Sequence, residues 1–202
     1  MKKDALSVAK ELVKILEELH KENMVMLSEL KPGDKFSTGI GNFIVLEQKE
    51  DCAVIITEKL YMEDEIFDAD CNDYKKSQLR EKFDGEILDE FIAEFGEENI
   101  YENETGLVTV DGQKAFGKLL TKVRPLTFDE AREYNDLLAD EDLPDWYWTC
   151  TPWSTKERGW GQSVAIVSPR GYFSNCSCDF YYVVRPVCIL KSNLFVSRVK
   201  ED

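Results

Sequence analysis

Apolar residues near the start of the chain fall at Ala5, Ala9, Leu12, Leu16 and Leu19, in alternating steps of four and three. That rhythm predicts an amphipathic helix over residues 5–20. Leu6, Val8, Val13 and Ile15 widen its apolar stripe. Barely more than two heptads is short for an isolated coiled coil. Residues 1–24 are therefore expected either to pack on the rest of the chain or to join a homo-oligomer through this helix. From residue 25 the period changes to that of strands. Lys35 to Ser37, Phe43 to Leu46 and Ala53 to Thr57 read as an antiparallel meander, turned by Gly39, Gly41 and Asn42 and by Gln48 to Asp51. Its inner face should hold Phe36, Phe43, Val45 and Ile55 or Ile56.

Tyr61 to Asp73 is acidic and reads as a loop. Asp68, Asp70 and Asn72 alternate like the opening of a calcium loop, but Asp73 and Leu79 stand where Gly and Glu are needed. Ser77 can cap a helix carrying Leu79, Phe83, Ile87, Leu88, Phe91, Ile92 and Phe95, with Asp84-Gly85 as a breaking point. Leu107 to Val110, the Asp111-Gly112 turn and Ala115 to Leu120 follow, then a short strand at Val123 to Leu126. Thr127 and Glu130 form a capping box that opens a helix through Leu138.

The four tryptophans lie at 146, 148, 153 and 160. Trp is rarely left fully exposed, so most should be core or groove wall. Beyond them, Lys, Glu, Gln, Met and Trp, 53 of the 202 residues, are absent from Ser163 to Leu190. Val164 to Val167 and Phe180 to Val184 read as buried strands, with Ser168 to Gly171 as a turn. The segment from Gly171 to Asp179 combines aromatics with small polar residues, the mixture that recognition surfaces use. The candidate ligand-binding residues are Trp160, Tyr172, Phe173, Asn175, Ser177, Asp179, Tyr181 and Tyr182. Alternate residues of a strand must face inward, so either Tyr181 or Tyr182 should be structural.

The charge is −15, from 40 acidic and 25 basic residues. This argues against phosphate-mediated nucleic-acid binding and against docking on anionic membranes. It suits a protein or other macromolecular partner, including a basic one. The N-terminus runs into a charged segment rather than an apolar signal, and no stretch approaches a membrane span. A bacterial cytoplasm or a phage virion is the expected location. The six cysteines show no CxxC, and with one His a complete zinc set is not expected. No metal or cofactor site is legible. There is no GxSxG, no phosphate-binding glycine loop and no HExxH, so the chain is not expected to be an enzyme.

Several segments resemble one family. They are Trp146-Tyr147-Trp148-Thr149, Thr151-Pro152-Trp153-Ser154-Thr155, Val164 to Gly171 and Val184-Arg185-Pro186-Val187, together with Asn72-Asp73-Tyr74 and Ser77-Gln78-Leu79-Arg80. This layout is similar to the DUF6273-type domains of gut bacteria and their phages. It is also similar to the C-type-lectin-like, formylglycine-generating-enzyme-like fold that carries the variable proteins of diversity-generating retroelements. Val183 departs from the pattern, standing where the family has Gly. The resemblance implies an α+β, C-type-lectin-like domain over residues 25–202, with small antiparallel sheets and two or three helices. It further implies a variable surface near the C-terminus. Such retroelements mutate adenines, and AAC or AAT codons mutated in this way cannot encode Lys, Glu, Gln, Met or Trp. Every residue from Tyr172 to Val183 is reachable by that route. The expected function is non-catalytic ligand binding. The alternative is an acidic phage-type inhibitor that occupies a basic nucleic-acid-binding groove.

Overall fold

The computed structural model describes Lys10 and residues 23–199. Apart from Lys10, the helix expected over residues 5–20 lies outside the described residues. The rest is a mixed α+β fold, as its sequence pattern predicts.

The meander forms from β2 (Lys35–Thr38), β3 (Gly41–Gln48) and β4 (Cys52–Thr57). It belongs to a seven-stranded sheet that also takes in β1 (Met24–Met26), β8 (Val123–Pro125), β13 (Pro186–Lys191) and β14 (Phe195–Arg198). The strand order is β1-β14-β2-β3-β4-β13-β8, all antiparallel. This sheet is buried on both faces rather than one. Phe36, Phe43, Val45 and Ile55 enter one hydrophobic cluster, and Ile44, Leu46, Val54 and Ile56 enter the other. The unbroken apolar run Phe43 to Leu46 is what two-sided burial looks like in sequence.

One face is covered by a helix built from α1 (Gln78–Lys82), a π turn (Phe83–Ile87) and α2 (Leu88–Phe95). Leu79, Phe83, Ile87, Phe91 and Phe95 are all buried along it. At about 3.6 residues per turn, a strict spacing of four drifts by roughly 40° each step. The π turn absorbs an extra residue and brings the row back onto one face. Asp84-Gly85 therefore widens the helix without breaking it. The other face is covered by α3 (Phe128–Glu133) and α4 (Asn135–Leu138). The capping box forms as expected: Thr127 Oγ1 accepts from Glu130 N at 3.2 Å, and the Glu130 carboxylate accepts from Thr127 N at 2.8 Å.

A five-stranded sheet runs β11 (Phe173–Ser177), β10 (Ser163–Val167), β9 (Tyr147–Pro152), β12 (Tyr181–Val184), β5 (Tyr61–Ile66). Its β9–β12 pair is parallel and the rest antiparallel. A small hairpin pairs β6 (Asn103–Gly106) with β7 (Lys118–Thr121). The acidic stretch expected to be a loop thus begins as strand β5. Its pairing with β12, distant in sequence, overrides the local composition.

The chain passes directly between the two larger sheets at β4→β5, at β8→β9 through α3 and α4, and at β12→β13. Arg185 is the one residue separating β12 from β13, and it is buried. Its Nε and Nη2 donate to the Thr57 carbonyl at 3.1 Å, and Nη2 also to Glu58 O at 3.1 Å. Nη1 donates to Leu138 O at 3.0 Å, at the end of α4. The guanidinium lies over the Tyr147 ring, 5.3 Å from its centroid. One side chain therefore grips all three connections.

Candidate functional site

Three segments meet at one end of the five-stranded sheet: the 67–73 turn, the 153–162 loop and the 177–181 connection. Phe67 N and Asp68 N both donate to Cys178 O at 3.0 Å. This ties the residues just past β5 to the residue just past β11, so the ends of the two outer strands are drawn together while the strands themselves stay unpaired. Between the 70–73 turn and the 155–163 loop lies an open groove of about 930 Å³. Trp160, Phe116, Gln162 and Ser177 are among its walls.

The turn is set by Asp68. Its Oδ1 accepts from Asp70 N at 3.0 Å and Cys71 N at 3.2 Å, and its Oδ2 accepts from Gln78 N at 3.1 Å. Burial pushes the Asp68 pKa up, but these amide donors outweigh it and hold the carboxyl below the usual range. Asp68, Asp70 and Cys71 have ligand atoms within 4.8 Å of one another. The Asp68 oxygens, however, are already committed to the main chain. The alternating acids are a turn and helix cap rather than a metal loop.

The loop bearing Trp160 is held from two sides. Asn72 is 3% exposed. Its Nδ2 donates to the carbonyls of Ser154, Trp160 and Ser163 at 2.8, 2.9 and 2.9 Å, and its N–H donates to Gly161 O at 3.1 Å. On the other side, the Asp111 carboxylate accepts from Ser154 Oγ at 2.7 Å and Arg158 Nη1 at 2.9 Å. Hydrogen bonds from Thr109, then Ser154, lower the Asp111 pKa. Gly161 has no room for a side chain: a Cβ there would lie 2.9 Å from Lys156 Cβ. The loop is thus fixed before any ligand arrives.

Trp148 is fully buried, Trp146 and Trp153 are partly buried, and Trp160 is 46% exposed. Of the other candidates, Tyr172 (66%) and Tyr181 (64%) are the most exposed. Asp179 is also exposed. Tyr182 is half-buried and meets Trp148 edge-on at 5.1 Å, while Tyr181 points to solvent. The expected division between the two tyrosines falls this way. Phe173 is half-buried and packs edge-on against Phe128 at 5.0 Å. Asn175 and Ser177 are half-buried on β11.

The structure brings Trp160 and Ser177 into one groove, with Asp179 and Tyr181 following around the turn. Tyr172 is not with them. Ser163 pairs with Ser177 and Val167 with Phe173, so Tyr172 sits at the opposite end of β11, roughly 15 Å away along the strand. There, Ser168 N donates to Tyr172 O at 2.8 Å, and Asn135 Nδ2 donates to Gly171 O at 3.0 Å. Phe180, 57% exposed, escapes the sequence reading because a strand-like run suggested burial. Asp111 escapes it because its partners on the Trp160 loop, Ser154 and Arg158, lie more than forty residues away in sequence.

All six cysteines are free. Among the described residues, no helix is long and apolar enough to cross a membrane. No family model, curated protein or solved structure matches the chain.

Proposed function

We propose that this is a non-catalytic binding domain of C-type-lectin-like architecture, whose ligand is a protein or other macromolecule. Trp160, Ser177, Asp179 and Tyr181 form the principal contact, with Tyr172, Phe173, Asn175 and Tyr182 contributing along and behind β11. The observation that carries the reading is the mounting of the exposed Trp160 ring on a loop locked by Asn72 and Asp111, with the exposed Tyr181 on β12 of the same five-stranded sheet. Large rings lose little entropy on binding, and a fixed loop loses less still. The resemblance of the Trp146–Thr155 and Val184–Pro186 segments supports the architecture. The half-exposed side chains of β11 support diversification by a retroelement. That part is tested by looking for a neighbouring reverse transcriptase gene, with a template repeat that matches the codons for residues 164–190 except at adenines.

The net charge of −15 supports a second reading, the acidic inhibitor of a basic groove. Salt separates the two. The immobilised chain is exposed to host lysate between about 0.05 and about 0.5 M salt. The Trp160→Ala/Tyr181→Ala double variant and a Tyr101→Ala control run alongside. Aromatic recognition predicts capture that survives salt and is lost only in the double variant. Capture lost with salt, and unchanged by the double variant, favours the inhibitor and overturns the first reading.

A further inference from the structure

β11 is an outer strand of its sheet, paired with β10 and, among the described residues, with no strand on its other side. The register fixes where its main chain points. Ser168 N donates to Tyr172 O at 2.8 Å, and Cys178 N to Gln162 O at 2.7 Å. Bonded pairs recur at every second residue of an antiparallel ladder. Ser174 and Cys176 therefore bond inward to Ile166 and Val164. The N–H and C=O groups of Phe173 and Asn175, and the N–H of Ser177, face the open edge. The Ser177 carbonyl is taken by Phe180 N at 3.1 Å.

Natural sheets blunt such edges with charge, proline, bulges or shortness. The other outer strands of the two larger sheets do so. β1 has three residues, β8 has three including Pro125, and β5 carries Asp64 and Glu65 and shifts register against β12. β11 does none of this. It is five residues of Phe, Ser, Asn, Cys and Ser, in unbroken register with β10.

We propose that β11 is a docking edge, along which an extended, basic segment of a protein partner adds as a sixth strand. A partner segment so placed is held by main-chain hydrogen bonds, with side chains setting preference. The chain's own charge of −15 opposes a second copy at this edge and favours a segment of opposite sign. The inference rests on the binding reading above but not on its aromatic residues. It also explains how a strand could vary in sequence and keep its partner, because the main chain does not change.

The test uses the full chain and free peptides selected from a random display library. Asn175→Pro removes an outward N–H and leaves the bonds to β10 intact. Asn175→Ala changes the side chain and keeps the N–H. The expected result is recovery of peptides enriched in Lys and Arg. Asn175→Pro should weaken their binding by about tenfold or more, and Asn175→Ala by less than about threefold. In the unsubstituted chain, bound peptide should slow hydrogen exchange at the Phe173, Asn175 and Ser177 amides, which decides the matter even if the proline variant fails to fold. The proposal is overturned if no peptide is selected, if the selected peptides are acidic, or if both Asn175 variants lose binding equally. It is also overturned if the chain alone has twice its mass in light scattering with these amides already slowed. Binding lost in Trp160→Ala/Tyr181→Ala but kept in Asn175→Pro would uphold the aromatic surface and sink the docking edge. The reverse pattern would do the opposite.

Discussion

Replacing Asn72 with Ala tests the idea that one buried amide fixes the Trp160 loop. The side chain offers two N–H groups to three carbonyls. Two of those carbonyls keep other donors: Ser163 O accepts from Trp153 N at 2.8 Å, and Trp160 O from Ser163 N at 3.1 Å. Only Ser154 O would be stranded among the described contacts. Two lost hydrogen bonds at about 1 kcal/mol each, plus about 1–3 kcal/mol for one desolvated carbonyl, put the cost at about 3–5 kcal/mol. Asn72→Asp should cost more, because a carboxylate would face three carbonyl oxygens with nothing to donate. Urea unfolding followed by tryptophan fluorescence would read the difference. With a slope of about 2–3 kcal/mol per molar, the Ala midpoint should fall by roughly 1–2 M. Hydrogen exchange should rise first at residues 154–163, ahead of the sheet amides. An Ala variant within about 0.5 kcal/mol of the parent, or one whose loop amides exchange no faster, would refute the argument.

Three further outcomes follow from the same geometry. Burial raises the Glu130 pKa, but Arg124, which donates to both carboxylate oxygens at 2.6 and 2.7 Å, outweighs it and holds the carboxyl below its usual range. A folded value below the unfolded one means the stabilisation is complete above about pH 4.3 and is lost as pH falls through the folded value. Glu130→Gln should therefore cost about 3 kcal/mol at neutral pH and flatten the loss of stability in acid, as acid titration by circular dichroism would show. Gly171 has φ of +76°, and a Cβ there would lie 2.6 Å from Asn135 Oδ1. Gly171→Ala should lower the melting temperature by about 5 °C in calorimetry. Burial pushes the Cys150 and Cys178 thiols up to about 12 and also raises Cys188. A thiol reagent should label at most Cys52, Cys71 and Cys176 in the native protein and all six after unfolding.

What the sequence displays plainly is chemistry that acts over a few residues. Ser77 and Thr127 cap their helices because the partner amides are three positions away. The meander and β10 are legible as runs of β-branched residues between turns. What stays hidden depends on partners far along the chain. β5 looks like a loop until β12 pairs with it, and β1 is only three residues held by β14. The π turn is invisible as such, although the repeated spacing of four from Leu79 to Phe95 demands it. The eight candidate residues are contiguous enough in sequence to suggest one patch. The register of β10 against β11 sends Tyr172 to one end and Ser177 to the other. Asn72 stands in a motif that sequence can flag, but its three carbonyl acceptors, 82 to 91 residues on, exist only once the chain has folded.

Arg185 has a mechanical consequence. The two large sheets exchange the chain directly at three places, and a single guanidinium ties all three connections together. Pulled apart, they would have to break that grip before either could slide. Strain applied at the outer strand of one sheet is thus handed to the other as a rigid push rather than dissipated in a hinge. A residue far from any contact surface would then determine how stiffly that surface is held.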